Sequence, residues 1–323
     1  MSPPDPRPSL PTPAAFALIV LMAALWGSLY SFIKIALDTV TPITVAASRT
    51  ALSALMIAVI VLVRRHAVPR EATFWKRLGI QSLVNATIPF TAFAWGQQYV
   101  SAGLAGIMNS TSPIFAFLIT AFWTRHEATG PERLFGTAIG IGGVVMIVGV
   151  DALGGVGDHV IAQIVLLFAT FLYAVAAVHG RHFAGVAPEV TAAGTLGLAA
   201  LVLVPLAFIF EDPLSLEPSR AAILSILFMS IFSTGLSFMI YFFLVQRIGS
   251  MNTISASYLR AGFAVVFGMI LLSEPLTWQA AVGLVCVVIG VAAISGQLSR
   301  LWRWLTGRPG GDGDGDRPAP LVR

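Results

Sequence analysis

Ten predominantly apolar windows run along the chain, at about 14–37, 44–63, 78–99, 103–123, 134–150, 160–179, 190–210, 221–245, 254–272 and 278–297. A helix rising ~1.5 Å per residue needs about 20 such residues to cross a bilayer core, so each window is long enough for one crossing. The connections between them are short and leave no room for a soluble domain. The windows are continuously apolar rather than alternating, which excludes a membrane β-barrel. Composition agrees: 57% of the residues are hydrophobic and only 11% are charged, against roughly 25% charged in an ordinary soluble domain. A soluble enzyme, a collagen-like chain and a disulfide scaffold are all excluded. The expected fold class is an all-α integral membrane protein with ten transmembrane helices.

Lys and Arg orient the bundle. With the N-terminus cytoplasmic, fifteen of the nineteen fall in inside segments and only Arg220 falls outside; Lys34, Arg49 and Arg260 lie within spans. The positive-inside rule then requires an even number of crossings, with both termini cytoplasmic. The excess of positive charge is loop arginine, so no nucleic-acid partner is expected. The first 13 residues hold six prolines and read as a tail, as does the Gly/Pro/Asp-rich end. The run from Ala14 is too long for a signal-peptide core and reads as a retained span. Trp302 and Trp304 read as an interfacial anchor. Cys286, the single cysteine, reads as a small buried hydrophobe.

Sliding the chain on itself by 147 residues aligns Ile107, Ser110, Glu127, Gly136, Gly143 and Gly149 with Ile254, Ser257, Glu274, Gly283, Gly290 and Gly296, and Trp26 with Tyr173. Ten spans therefore divide into two sets of five. Five is odd, so the second set is inverted, the arrangement of alternating-access carriers with a midplane site. The expected organisation is a tail at 1–13, a first five-helix repeat at 14–150, a second at 160–297, and an anchor and tail at 298–323.

Three stretches carry a family likeness: LWGSLYSFIKIALDTVTPITVAASR, the block SAGLAGIMNSTSPIFAFLITAFWTRHEATGPERLFGTAIGIGGVVMIVG, and LLSEPLTWQAAVGLVCVVIGVAAIS. Together they resemble the EamA family of the drug/metabolite transporter superfamily, over about residues 15–296. The resemblance implies a ten-helix inner-membrane carrier, often an exporter of amino acids and related metabolites. It also implies that spans 1–4 and 6–9 surround a central cavity. The chain departs from the family at one place: Arg260 stands where the second repeat usually has the proline matching Pro113.

Arg260 lies about six residues into span 9, where a cation is costly. It has three readings: a fork onto a substrate carboxylate or phosphate, snorkelling to the interface, or a cap on the carbonyls of a broken helix. No Asp or Glu occupies the middle of any span, which favours an anionic substrate group and disfavours a buried-carboxylate proton relay. Candidate cavity residues are Asn109 and Ser112 in span 4, Asn85 in span 3, and the aromatics Trp26, Tyr173 and Tyr258. Each of these also reads as packing, helix glue or interfacial belt. Pro113 and Pro89 are hinge candidates. Arg49 is expected in an interface or gating ion pair, with Asp38 as its partner. Lys34 is expected to snorkel, His179 and His182 to be solvated, and Ser230, Ser233, Thr234 and Ser237 to glue helices. Gly136 and Gly140 form a small-residue face for close packing, with a homodimer contact as one use.

No phosphate loop, metal cluster, cofactor motif or nucleophile–base pair is present, so an enzyme is not expected. The functional expectation is a secondary transporter for small solutes, amino acids or other carboxylates, working by efflux. Larger organic anions, vitamins or nucleotide-like solutes are the alternative.

Overall fold

The computed structural model describes residues 12–119, 121, 134–143, 158–248 and 256–294, and there is no strand among them. The first two crossings are α1 (Thr12–Leu37) and α2 (Pro42–Val63). Pro42 opens α2 where its missing N–H costs nothing. The third crossing is α3 (Ala72–Ser82), a π-helical segment Leu83–Thr87, and α4 (Ile88–Gly96). The fourth is α5 (Ala102–Asn109) and α6 (Ser112–Leu118), broken at Ser110 and Thr111. Leu134–Gly143 forms α7.

The second half begins with α8 (Asp158–His179), a 3-10 turn Gly180–Phe183 and α9 (Pro188–Phe210). It continues with α10 (Arg220–Phe228), a second π-helical segment Met229–Leu236, and α11 (Ser237–Ile248). It ends with α12 (Ala256–Leu272) and α13 (Trp278–Ile294). Five helices are each long and apolar enough to cross a membrane; the other crossings use shorter apolar helices. Large apolar side chains such as Leu62, Leu201 and Ile270 stand exposed on the outside, as a lipid-facing surface requires. The expected tails, the loop carrying Glu127 and the Trp302/Trp304 anchor lie outside the described residues, apart from the start of α1.

Structural details recur at the 147-residue spacing. The π segments at Leu83–Thr87 and Met229–Leu236 overlap under that shift. Arg65 and Asp212, also 147 apart, both take a left-handed conformation that ends a helix (φ 55° and 42°). Helices α7 and α13 meet through reciprocal glycines. A Cβ on Gly143 would lie 3.1 Å from the Gly283 carbonyl, and one on Gly290 would lie 2.6 Å from the Gly136 carbonyl. Position i touching j+147 while j touches i+147 is the mark of a two-fold relation between the halves. The close packing expected of Gly136 and Gly140 occurs within the chain, where that face meets Gly290.

Long-range packing joins the halves. Alanines 46, 47, 192 and 199 let α2 and α9 lie close together. Helix α12 is pressed against both α1 and α5, where Gly27 and Gly106 leave room for its backbone and for Ala264.

Polar ties gather at one end of the bundle. Glu211, just past α9, accepts the backbone N–H of Ile43 (2.9 Å) and Thr44 (2.7 Å) at the start of α2. Glu274, just past α12, accepts those of Ala102 (2.6 Å) and Gly103 (3.1 Å) at the start of α5. Each carboxylate satisfies orphan donors and sits at the positive end of a helix dipole. Lys34 donates to the carbonyls of Gln97 (2.5 Å) and Val100 (3.1 Å) beyond the last turn of α4. The expected snorkelling gives way to this cap, because the orphan carbonyls lie within reach of the ammonium. Thr39 and Ser219 close the same end. At the opposite end, Arg64 pairs with Glu189 at 3.0 Å across α2 and α9.

The glycine contacts give a direct test. Gly290→Ala should destabilise the protein by ~1–3 kcal/mol through overpacking against backbone. Gly142→Ala, with nothing within 4 Å of the added carbon, should be neutral or stabilising by about 0.5–1 kcal/mol. Thermal unfolding of both variants in detergent micelles reads the difference.

Candidate functional site

Proline 113 sets the site up. Its ring excludes a helical bond to the carbonyl four residues back, that of Asn109. The helix breaks there, with Ser110 and Thr111 making only short-range bonds to Gly106, Ile107 and Met108. The guanidinium of Arg260 donates to the freed Asn109 carbonyl at 3.2 Å. Arg260, 147 residues after Pro113, thus caps the carbonyl that Pro113 releases. Helix α12, with no proline there, runs unbroken through Arg260. The Asn109 side chain donates to the Tyr30 hydroxyl, and its Oδ1 is buried without a partner. The Nε of Arg260 is likewise buried and unpartnered, and its guanidinium lies 5.9 Å from the centre of the Trp26 ring.

These groups line a cavity of about 690 Å³, within the usual range for small-molecule sites. It reaches the surface beside the α8–α9 turn, where Arg181, Ala184 and Gly185 are exposed. Its walls come from α1, α2, the third and fourth crossings, α8, α9 and the α10–α12 segment; among the described residues none from α7 or α13 contributes. The end tied by Glu211, Glu274 and Lys34 lies away from this mouth, beyond a packed layer that includes Val45, Ala94 and Met229.

The structure brings Trp26, Asn85, Asn109, Ser112, Tyr173 and Arg260 to one cavity wall or another. Asn85 sits in the π segment, four residues before Pro89, which is buried at the start of α4. Pro89 cannot bond the Asn85 carbonyl, and the helix widens there. Tyr258 lies on α12, but its side chain is outside the described residues.

Arg49 departs from its expected place. Among the described residues it has no carboxylate partner, and Asp38 is not paired with it. Its Nε donates to the Thr234 hydroxyl at 3.1 Å, and its guanidinium stacks 3.8 Å from the centre of the Phe90 ring. It is 6% exposed and faces the same cavity as Arg260. The reason is local: α2 packs against the second π segment, which turns Thr234 toward Arg49. The polar stripe of α10–α11 accordingly divides. Ser230 and Ser237 bond backbone carbonyls of their own crossing, whereas Ser233 and Thr234 serve the cavity and its arginine.

Tyr30, Phe90, Thr191 and Ser233 were not foreseen in the cavity. Tyr30 had a readable signal, since it lies one helical turn after Trp26 on the same face. Phe90 and Thr191 had none, because an aromatic or threonine in an apolar run reads equally as packing. His179 bonds Gln81 (2.9 Å) near the mouth.

A double-mutant cycle tests the central contact. Arg260→Leu should cost about 1–3 kcal/mol of stability by orphaning the Asn109 carbonyl. In a Pro113→Ala background, where residue 113 regains its N–H, the same substitution should cost at least ~1 kcal/mol less. Equilibrium unfolding of the four proteins in micelles gives the coupling.

Comparison with known proteins bears on the same fold. The protein named "Uncharacterized transporter YoaV" from Bacillus subtilis is 23% identical over 274 residues, covering 84% of this chain and 94% of that protein. "Uncharacterized inner membrane transporter YedA" of Escherichia coli K12 is 23% identical over 284 residues, covering 87% and 89%. An "Uncharacterized transporter" of Archaeoglobus fulgidus is 25% identical, covering 85% and 96%. A solved structure, titled "Crystal structure of protein", superposes with a TM-score of 0.65 over 90% of this chain at 18% identity, a likeness of fold. The sequence model described as "EamA-like transporter family" matches twice, at residues 14–149 and 160–296. The chain belongs to the EamA-like transporter family, a membrane-transporter family with a ten-helix, two-repeat fold.

Proposed function

We propose that the chain is a secondary transporter that binds a carboxylate-bearing small solute in the α1–α12 cavity and carries it across the inner membrane by alternating access. The observation that carries this reading is the pair of guanidiniums, Arg49 and Arg260, facing one cavity whose described lining contains no Asp, Glu or Lys. A planar fork of N–H donors in a partly desolvated site recognises a carboxylate strongly. Aromatic faces from Trp26, Tyr173 and Tyr241 suit the non-polar body of such a solute. Amino acids and related organic acids are the first candidates. The volume also admits larger organic anions, nucleotide-like ones among them.

Orientation follows from charge. With both termini and the arginine-rich loops in the cytoplasm, the mouth beside Arg181 faces inward and the Glu211/Glu274 end faces outward. The conformation is then inward-facing, which suits loading from the cytoplasm and export. Rocking of one half against the other would break the outer caps and close the mouth. The described lining offers binding groups, which suits a carrier.

Purified protein screened by thermal shift against amino acids, dicarboxylates, purines and cofactors should gain stability with an anionic ligand. The best hit should show counterflow in proteoliposomes, and Arg260→Leu should slow it about tenfold or more, the equivalent of at least ~1.4 kcal/mol. Unchanged counterflow in Arg260→Leu would remove the anion-recognising role of that residue.

A further inference from the structure

We infer that Arg49 and Arg260 make this carrier an obligatory exchanger of solutes bearing two negative charges, a deduction that rests on the carrier reading above. The starting point is the charge of the empty cavity. Arg49 is nine-tenths buried, with a hydroxyl and an aromatic ring as its partners. Arg260 spends one N–H on the Asn109 carbonyl, and its Nε is buried without a partner. Arginine stays protonated in proteins. Among the described lining residues there is no carboxylate to offset either charge. The described inner part of the site therefore carries two positive charges supported by dipoles and ring faces alone.

Charge counting then sorts the solutes. In the mouth-open conformation the cavity is continuous with the surface beside Arg181, so water has a path to the guanidinium edges that line it. Closing the cavity expels that water, and each uncompensated charge becomes costly. A zwitterionic amino acid leaves the occluded cavity at plus two, and a monoanion leaves it at plus one. A dianion brings it to zero. The donors suit anionic oxygens: Arg49 and Arg260 both line the cavity, and each carries a planar fork of N–H groups that matches a carboxylate or phosphate. Among the described lining residues, no carboxylate waits for an ammonium group.

The same count governs the return step. An empty carrier would have to occlude two unscreened cations in order to reorient, whereas a loaded one is neutral. Reorientation should thus proceed at speed only when a dianion occupies the site, in either direction. One dianion must enter for each that leaves. Because the exchanged charges are equal, the cycle moves no net charge across the membrane.

The test uses wild-type protein in proteoliposomes preloaded with buffer, succinate, inorganic phosphate, pyruvate or leucine. Uptake of labelled succinate, and in a parallel arm labelled glycerol 3-phosphate, is measured from outside. Uptake should be at least about tenfold faster into vesicles holding a dianion than into those holding buffer, pyruvate or leucine. An imposed potassium diffusion potential should leave the exchange rate unchanged. Whichever labelled arm responds separates a dicarboxylate from a phosphate monoester. Arg49→Gln and Arg260→Gln, each verified as folded by size exclusion, should lose dianion exchange about tenfold while gaining pyruvate exchange relative to succinate. Arg→Lys at either position should keep the dianion preference, which a purely structural role would not predict. Should a variant fail to fold, the wild-type loading series alone decides. Equal uptake into buffer-loaded vesicles, or exchange of leucine or pyruvate with the dianions inert, overturns the inference and leaves the carrier reading intact. Movement of no probe at all overturns both.

Discussion

The site rests on one hydrogen bond, from the Arg260 guanidinium to the Asn109 carbonyl. In a bilayer a freed carbonyl has no water to turn to, and a cation at depth has none either. Pro113 creates the first problem and Arg260 the second, and each answers the other. The bond also fixes geometry. Gly27 admits the α12 backbone against α1 beside Arg260, and Gly106 admits α12 against α5. The guanidinium is thereby delivered to the break without a long, mobile reach. Asn109, whose side chain donates to the Tyr30 hydroxyl, is held at the cavity wall.

The two halves solve the same structural task with unequal means. Each has a π segment in its third crossing, and in both the widened turn serves the central region. In the first, Asn85 reaches the cavity after Pro89 has freed its carbonyl. In the second, Ser233 lines the cavity and Thr234 supports Arg49. The fourth and ninth crossings differ more sharply: one is broken by proline, the other continuous and armed with arginine. The two-fold relation therefore holds in the scaffold and fails at the chemistry. Asymmetry of that kind is what a small, asymmetric solute requires of a pseudo-symmetric frame.

The crossings were legible in the sequence because the bilayer imposes length and apolarity directly on consecutive residues. Arg260 was legible for the same reason, as a cation inside such a run. Arg49 was legible in the same way, as a cation within a span, but its partners were not: Thr234 and Phe90 come from distant segments, and only tertiary packing brings them to it. Lys34, Glu211 and Glu274 sit near helix ends, where snorkelling and solvation are the ordinary readings of a charge. What they do instead depends on which orphan amide or carbonyl the neighbouring helix presents. The small-residue face of Gly136 and Gly140 announces close packing in the sequence, but not against whom; the answer, Gly290 of the same chain, emerges only from the two-fold contact of α7 with α13.

In the alternating access proposed above, these features set which end separates at the least cost. The described ties at the sealed end are polar: two carboxylates on helix N-termini, one ammonium on carbonyls, and the Thr39–Ser219 pair. Each trades its partners for water when that end opens, so the net loss per bond is small. The α2–α9 and α1–α12 contacts, by contrast, are alanine- and glycine-mediated backbone packing, which has no such substitute. Separation at the sealed end with those contacts kept as the fulcrum costs least. The guanidiniums of Arg49 and Arg260, on α2 and α12, sit beside that fulcrum. In the proposed cycle, opening or closing either end would expose their charge to water or remove it from water.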